Sequence, residues 1–246
     1  MLVKSQVKYI QSLGQKKFRD EESVFVAEGP KIINELLNAQ NTTAVNIFAE
    51  REWIETNQSL IKKLKTPPLE IKESELERIS FLTTPNEVLG IFAKPVFQPG
   101  DFKNKISLIL DNIQDPGNMG TIIRTADWFG VRNIVCSNSS ADVFNPKVIQ
   151  SAMGSISRVQ VLYKDIKAFL IEHADTPMYA TTLHGNNITE IKPIEEGMIV
   201  IGNESKGISE ELLQLIKYKI TIPGKGKAES LNAAVSTGIV LWCLSS

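Results

Sequence analysis

The chain has 246 residues, 42% hydrophobic and 22% charged. That balance belongs to an ordinary globular protein and excludes a disordered tail, a fibrous repeat or a disulfide-stapled miniprotein. With 27 Lys and Arg against 28 Asp and Glu, the net charge of −1 supplies no overall basic field to draw in nucleic acid. Cys136 and Cys243 stand far apart with no CxxC pair, so neither a zinc knuckle nor a redox motif is present, and both read as small apolar side chains. The opening MLVKSQVKYI lacks a secretory apolar core, and no apolar run reaches the length of a membrane span. The expectation is a soluble, cytoplasmic protein that does not use a membrane.

Charge varies locally. Lys4, Lys8, Lys16, Lys17 and Arg19 precede the first acid, and Asp20, Glu21 and Glu22 follow at once. Such a cluster is either a solvated face or a basic helix touching phosphates, and charge alone does not choose. Apolar spacing over 3–13 predicts a helix, and SVFVA at 23–27 a short strand. Pro30 suits the first turn of a helix through Leu37, with Ile32, Ile33, Leu36 and Leu37 on its apolar face. A strand at 45–49, a polar helix, the Pro67-Pro68 break and a helix over 74–81 come next. Ser74 and Glu77 have capping-box spacing. After a strand at 88–93, KPVFQPGDF at 94–102 places two prolines and a glycine in nine residues, which marks a linker. The domain boundary is set there, giving domains 1–96 and 97–246.

The second part alternates more clearly, with strands predicted at 106–110, 133–136, 159–163, 178–183 and 198–202, and helices ending at Phe129 and spanning 146–152. Strands so apolar belong in a sheet covered on both faces, so the class is α/β with a parallel sheet. Residues 231–244 are apolar almost all round and predict a buried helix at a core or subunit interface. His173 and His184 are too few and too far apart for a metal site, and there is no GxSxG elbow, Walker A loop or GxGxxG.

Three loops carry a signal. In DNIQDPGNMGTIIRTADWFG (111–130), a turn leads into a helix whose Met119, Ile122, Ile123, Ala126 and Phe129 form one stripe, with Arg124 opposite. An Arg just past a strand's C-terminal end can grip a phosphate or stabilise developing charge. In GMIVIGNESKGISEEL (197–212) a strand ends on Gly202-Asn203-Glu204, delivering an amide and a carboxylate to another such end. In ITIPGKGKAESLNAAVSTGIVLW (220–242) a Gly/Lys loop precedes Ser230, a candidate N-cap, and Asn232, an amide that needs a partner if buried on so apolar a helix.

Together, the segments DPGNMGTIIRTA, IGNESKGIS and IPGKGKAESLNAAVSTGI resemble the three motifs of the SpoU-type (TrmH-like) RNA 2′-O-ribose methyltransferases of the SPOUT class. The similarity runs from 105 to the C-terminus and includes NPKVIQSAMGS at 145–155. The N-terminal part, with AEGPKIINELL, is similar to the family's small α/β ribosomal-protein-like substrate-binding domain. The resemblance implies a parallel sheet with a C-terminal trefoil knot, which folding rules alone would not propose. It also implies a homodimer, S-adenosyl-L-methionine as cofactor, no metal, and RNA as substrate, ribosomal RNA first and tRNA second. By motif, Asn118, Arg124, Glu204, Ser230 and Asn232 become the catalytic set, with Arg124 central. Leu183, Gly202, Ile222, Leu231 and Ala233 become cofactor contacts. Lys4, Lys8, Lys16, Lys17, Arg19, Arg124, Lys225 and Lys227 become RNA contacts. Ser205-Lys206 stands where the family often has a small residue or glycine, a change the turn accommodates. A non-catalytic RNA-binding or ribosome-assembly factor, or a methyltransferase for protein or a small molecule, are the rival readings.

Overall fold

The computed structural model describes residues 1–98 and 100–245. Pro99, the second proline of the expected linker, lies outside the described residues, as does Ser246. Along the chain run α1 (Lys4–Ser12), α2 (Lys16–Glu22), β1 (Val24–Glu28), α3 (Pro30–Asn38), β2 (Thr43–Ala49), α4 (Arg51–Thr56), α5 (Gln58–Ile61), β3 (Leu69–Glu70), α6 (Glu73–Leu76) and β4 (Val88–Ala93). Then come β5 (Ile106–Leu110), α7 (Pro116–Trp128), β6 (Asn133–Ser137), α8 (Pro146–Ala152), β7 (Gln160–Lys164), α9 (Ile166–Glu172), β8 (Met178–Asn187), β9 (Gly197–Ile201), α10 (Glu210–Leu213), β10 (Tyr218–Thr221) and α11 (Ala233–Leu244). They form two compact units, one of Met1–Phe97 with Asp142–Ser157, the other of Gln98–Ala141 with Arg158–Ser246.

In the first unit the strand order is β1-β4-β2-β3, with β4 antiparallel to β1 and β2, and β3 parallel to β2. Its core joins Val7, Ile10 and Leu13 to Leu76, Ile79, Leu89 and Ile91. Pro30 opens α3, whose Ile32, Ile33 and Leu36 are buried. The capping carboxylate is Glu75 rather than Glu77. It accepts the N–H of Lys72 (3.1 Å) and of Leu2 (2.6 Å), a register that keeps Leu76 in the core.

Arg19 departs from expectation. It is 1% exposed, and its guanidinium donates to the Leu13 carbonyl (2.6 Å) and to Asp142 Oδ2 (2.5 Å). It is an internal anchor and cannot belong to a surface basic cluster. Its partner lies in residues 142–157, which the sequence reading assigned to the second domain. Within the first unit this segment also sets Phe144 against Phe25 (5.4 Å between rings) and under Lys94 Nζ (5.0 Å), and Asn41 donates to the Ser157 carbonyl (2.9 Å). These partners lie from 50 to 123 residues away in sequence, so no local pattern announces them.

In the second unit the order is β10-β8-β9-β5-β6-β7, every neighbouring pair parallel. All of β9 and nearly all of β5 and β6 are buried, as a sheet covered on both faces requires. Asp115 caps α7 through its carboxylate, which accepts the Asn118 N–H (2.7 Å), and Pro116 fills the first helical position. At the other end Gly130 has φ +74°, and the N–H groups of Gly130 and Val131 reach back to Asp127 and Ala126 (3.1 and 2.8 Å), a Schellman closure. Met119, Ile122, Ile123 and Ala126 are buried, and Arg124 is exposed, the side on which the stripe places it. No helix among the described residues is long and apolar enough to cross a membrane.

Removing one member of the buried pair strands the other charge. Asp142→Ala is expected to cost about 3–5 kcal/mol in urea unfolding, and Arg19→Met less, because it refills the space and the charge it strands, Asp142, is 16% exposed where Arg19 is 2%. Burial raises the Glu28 carboxyl pKa even though Ser80 and the Phe81 N–H donate to it. A raised folded value means stability present below the ordinary carboxyl range and lost as pH climbs through that folded value. Glu28→Gln should remove this loss, so stability-versus-pH curves of variant and parent should diverge as pH rises.

Candidate active site

β5 and β9 are neighbours, yet the chain leaves them in opposite directions, through α7 to β6 and through α10 to β10. Such a reversal opens a crevice at the strands' C-terminal ends, where open α/β sheets collect ligands. Three bonds span it. Asp111 Oδ2 accepts the Ser209 N–H (2.9 Å), Asn203 Nδ2 donates to the Asn112 carbonyl (3.0 Å), and Asn118 Nδ2 donates to Glu204 Oε1.

The turn after β9 is built for this. Asn203 and Gly207 exchange backbone bonds (3.1 and 2.8 Å), while Asn203 Oδ1 accepts the N–H groups of Ser205 and Lys206 (3.0 and 3.1 Å). A Cβ on Gly202 would lie 2.3 Å from the Gly207 carbonyl carbon, so the crossing needs a glycine there. Asn203 holds Glu204 in place and was missed as a site residue. The signal was its position inside the second motif at a strand end.

The third motif joins through α11. Its N-cap is Asn232, not Ser230: Asn232 Oδ1 accepts the N–H groups of Ala234 and Val235 (2.9 and 3.2 Å). Capping consumes the amide oxygen, so Nδ2 must face outward, and it donates to Asn118 Oδ1 at 2.8 Å. Asn118 Nδ2 in turn faces Glu204. Helix N–H, Asn232, Asn118 and Glu204 thus form one chain with a single polarity, in which each amide's orientation is dictated by its neighbour. Glu204 ends the chain as acceptor.

The remaining expected residues are not part of this chain. Ser230 is exposed, and its hydroxyl has no hydrogen-bond partner among the described residues. Arg124 projects from α7 with neither hydrogen bond nor ion pair among them. Lys225 and Lys227 lie in an exposed loop whose Gly224 and Gly226 have open space around them. Of the N-terminal lysines, Lys4 and Lys8 are exposed without an ion pair among the described residues, whereas Lys16 pairs with Asp20 (2.5 Å) and Lys17 with Glu21 (3.8 Å).

Among the expected cofactor contacts, Leu183 (67% exposed) and Leu231 (45%) leave apolar surface in solvent. Ile222 and Gly202 are half-buried and Ala233 is buried. Pairing of β8 with β10 jumps from Ala180–Lys219 to Asn186–Ile220, so residues 181–185 loop out and carry Leu183 away from the sheet. Thr221 Oγ1, at the end of β10, ties the middle of that loop back by donating to the Leu183 carbonyl (3.2 Å). No group of three or more His, Cys, Asp or Glu among the described residues could hold a metal ion.

Comparison with known proteins accords with this geometry. The profile of an MRM3-like substrate binding domain matches residues 4–90. The 23S rRNA (guanosine(2553)-2′-O)-methyltransferase RlmP of Bacillus subtilis is 27% identical over 241 residues, covering 97% of this chain and 95% of its own. An AdoMet-bound rRNA methyltransferase from Sinorhizobium meliloti is 30% identical with a TM-score of 0.85, covering 99% of this chain and 95% of that one. A TrmH/SpoU tRNA modifying enzyme from A. aeolicus is 28% identical with a TM-score of 0.52, covering 58% of this chain and 75% of that one. The profile of the SpoU rRNA Methylase family matches residues 105–242, which hold all three motifs, and the chain belongs to that family.

Proposed function

We infer that the protein is an S-adenosylmethionine-dependent RNA ribose 2′-O-methyltransferase acting on ribosomal RNA. The observation that carries this reading is the Asn232–Asn118–Glu204 chain, which draws one residue from each of the three motifs to the sheet's reversal point. A scaffold that had given up chemistry would have no need to keep that polar set intact. Ribosomal RNA is preferred to tRNA because the relatives named for rRNA match nearly the full chain, substrate-binding part included, while the A. aeolicus tRNA enzyme matches 58% of it.

The donor set fits S-adenosylmethionine. Leu183, Ile222 and Leu231 offer apolar surface for a flat base, and Gly202 and Ala233 sit where the second and third motifs leave their loops. When bound, that cofactor supplies a methyl group on a sulfonium, already electrophilic. What remains for the chain is to position a ribose hydroxyl and manage its charge. Arg124, solvent-facing and unpaired among the described residues, grips the phosphate flanking the target ribose and stabilises negative charge as it develops on the oxygen. Its guanidinium does not surrender a proton, so Arg124 is an electrostatic residue and not a base. The amide chain holds the three loops to one geometry. Lys225 and Lys227, and in the first unit Lys4 and Lys8, supply further phosphate contacts.

The same reading includes the family's knot and dimer. α11 packs on α7, and its Leu244 carbonyl accepts the Ile194 N–H (2.8 Å) from the β8–β9 connection, the path a threaded C-terminus would take. Trp128 on α7 is 85% exposed, and Val235 and Trp242 lie seven residues apart on the exposed side of α11, an apolar surface suited to a second copy.

Arg124→Ala is expected to lower methyl transfer to rRNA from a deletion strain by about a hundredfold or more while S-adenosylmethionine affinity by calorimetry stays unchanged. Near-normal transfer would refute the assigned role. Asn118→Asp sets a second carboxylate against Glu204 and removes the donor between them, and should be more damaging than Asn118→Ala. Two adjoining carboxylates favour sharing a proton, so the Asp variant's activity relative to wild type should recover as pH falls, which pH–rate profiles will check.

A further inference from the structure

A free Arg124 needs explanation, because the same helix carries an acid within reach. Asp127 follows Arg124 by three residues, and side chains at that spacing are neighbours on a helix surface. Asp127 is the acid of α7 itself, Asp115 being the cap before it. It sits in the last turn, where the helix dipole disfavours negative charge and a nearby cation is favoured. Arg124 is one candidate for that cation.

Arg158 takes the place instead. It lies just before β7, and its Nε and Nη2 donate to Asp127 Oδ2 at 2.9 and 2.8 Å. Asp127's side chain is 23% exposed in this pair, which shields it more than a solvent-facing contact with Arg124 would. An exposed pair at i,i+3 holds only weakly, so a two-point grip from a residue anchored at a strand start outcompetes it. Both residues belong to the second unit.

We propose that Arg158 is a positioning residue for methyl transfer: by holding and neutralising Asp127, it leaves the Arg124 guanidinium free for the RNA phosphate. The proposal rests on the reading of Arg124 as the phosphate-gripping residue. Without Arg158, Asp127 acts twice against the substrate, by drawing Arg124 back along the helix and by repelling an incoming phosphate. Both effects are electrostatic and both fade with added salt.

The test is a set of variants assayed with rRNA from a deletion strain, with S-adenosylmethionine affinity and thermal melts measured alongside. Arg158→Gln should lower kcat/KM about two- to fivefold at low salt, with the defect shrinking as salt rises. Arg158→Gln combined with Asp127→Asn should return to near the wild-type value, since the competing carboxylate is gone. An Arg158 that contacts RNA itself predicts no such rescue, so a double variant no better than Arg158→Gln overturns the proposal; a merely structural Arg158 predicts a loss of activity that follows the melting temperature and does not shrink with salt, and that outcome overturns it too. An unchanged kcat/KM for Arg158→Gln overturns it as well. Arg124→Ala separates the two layers. If it abolishes transfer while Arg158→Gln is silent, only this proposal fails. If it leaves transfer intact, the reading of Arg124 fails first.

Discussion

The site depends on the polarity of one short hydrogen-bond chain. Backbone N–H groups at the start of α11 can only donate, so they fix which end of the Asn232 amide faces inward. That choice passes to Asn118 and then to Glu204, where a carboxylate can only accept. Each bond alone contributes about 1 kcal/mol, and more where the carboxylate is involved. Reversing a single amide, however, breaks the bonds on both of its sides. The loops after β5 and β9 and the segment entering α11 therefore share one arrangement, although Asn232 and much of the 222–232 stretch are exposed.

The sheet makes this economical. With β5 and β9 buried side by side and their connections running apart, residues more than eighty positions distant in sequence meet at adjacent strand ends. Asn112, in the left-handed region at φ +60°, donates its N–H to Ser137 Oγ and turns its carbonyl toward Asn203. The loop after β5 is thereby braced on β6 at one side and on the loop after β9 at the other. Glu204 reaches Asn118 because Asn203 and Gly207 close the turn beneath it.

Most of this was legible where the chemistry is local. The apolar runs of β5, β6 and β9, Pro116 at the start of α7 and the outward face of Arg124 all follow from spacing and residue type. What escaped was decided at long range. Arg19 reads as surface charge because its partner, Asp142, stands 123 residues away. Residues 142–157 pack with the first unit through the same kind of distant partner, which their place in the sequence does not announce. Ser230 had the better local claim to cap α11, and Asn232 took it because its amide can serve the helix with one end and Asn118 with the other, which a hydroxyl cannot do at once over that distance. Ser74 lost its capping role to a register fixed by Leu2 and Leu76.

A net charge of −1 hides a division of labour among the cations. Lys16, Lys17, Lys94 and Arg158 are held by acids, and Arg19 is buried with one. Arg124, Lys225, Lys227, Lys4 and Lys8 are exposed and carry no ion pair among the described residues. A polyanion feels chiefly the exposed cations nearest to it, because charges beyond about 8–10 Å are screened at physiological salt. Binding RNA with balanced charge is then a matter of which cations the fold leaves unspent, and pairing elsewhere in the protein becomes part of how the site is made. Asp127 illustrates the pairing: it stands one turn from Arg124, yet Arg158 is the arginine that holds it.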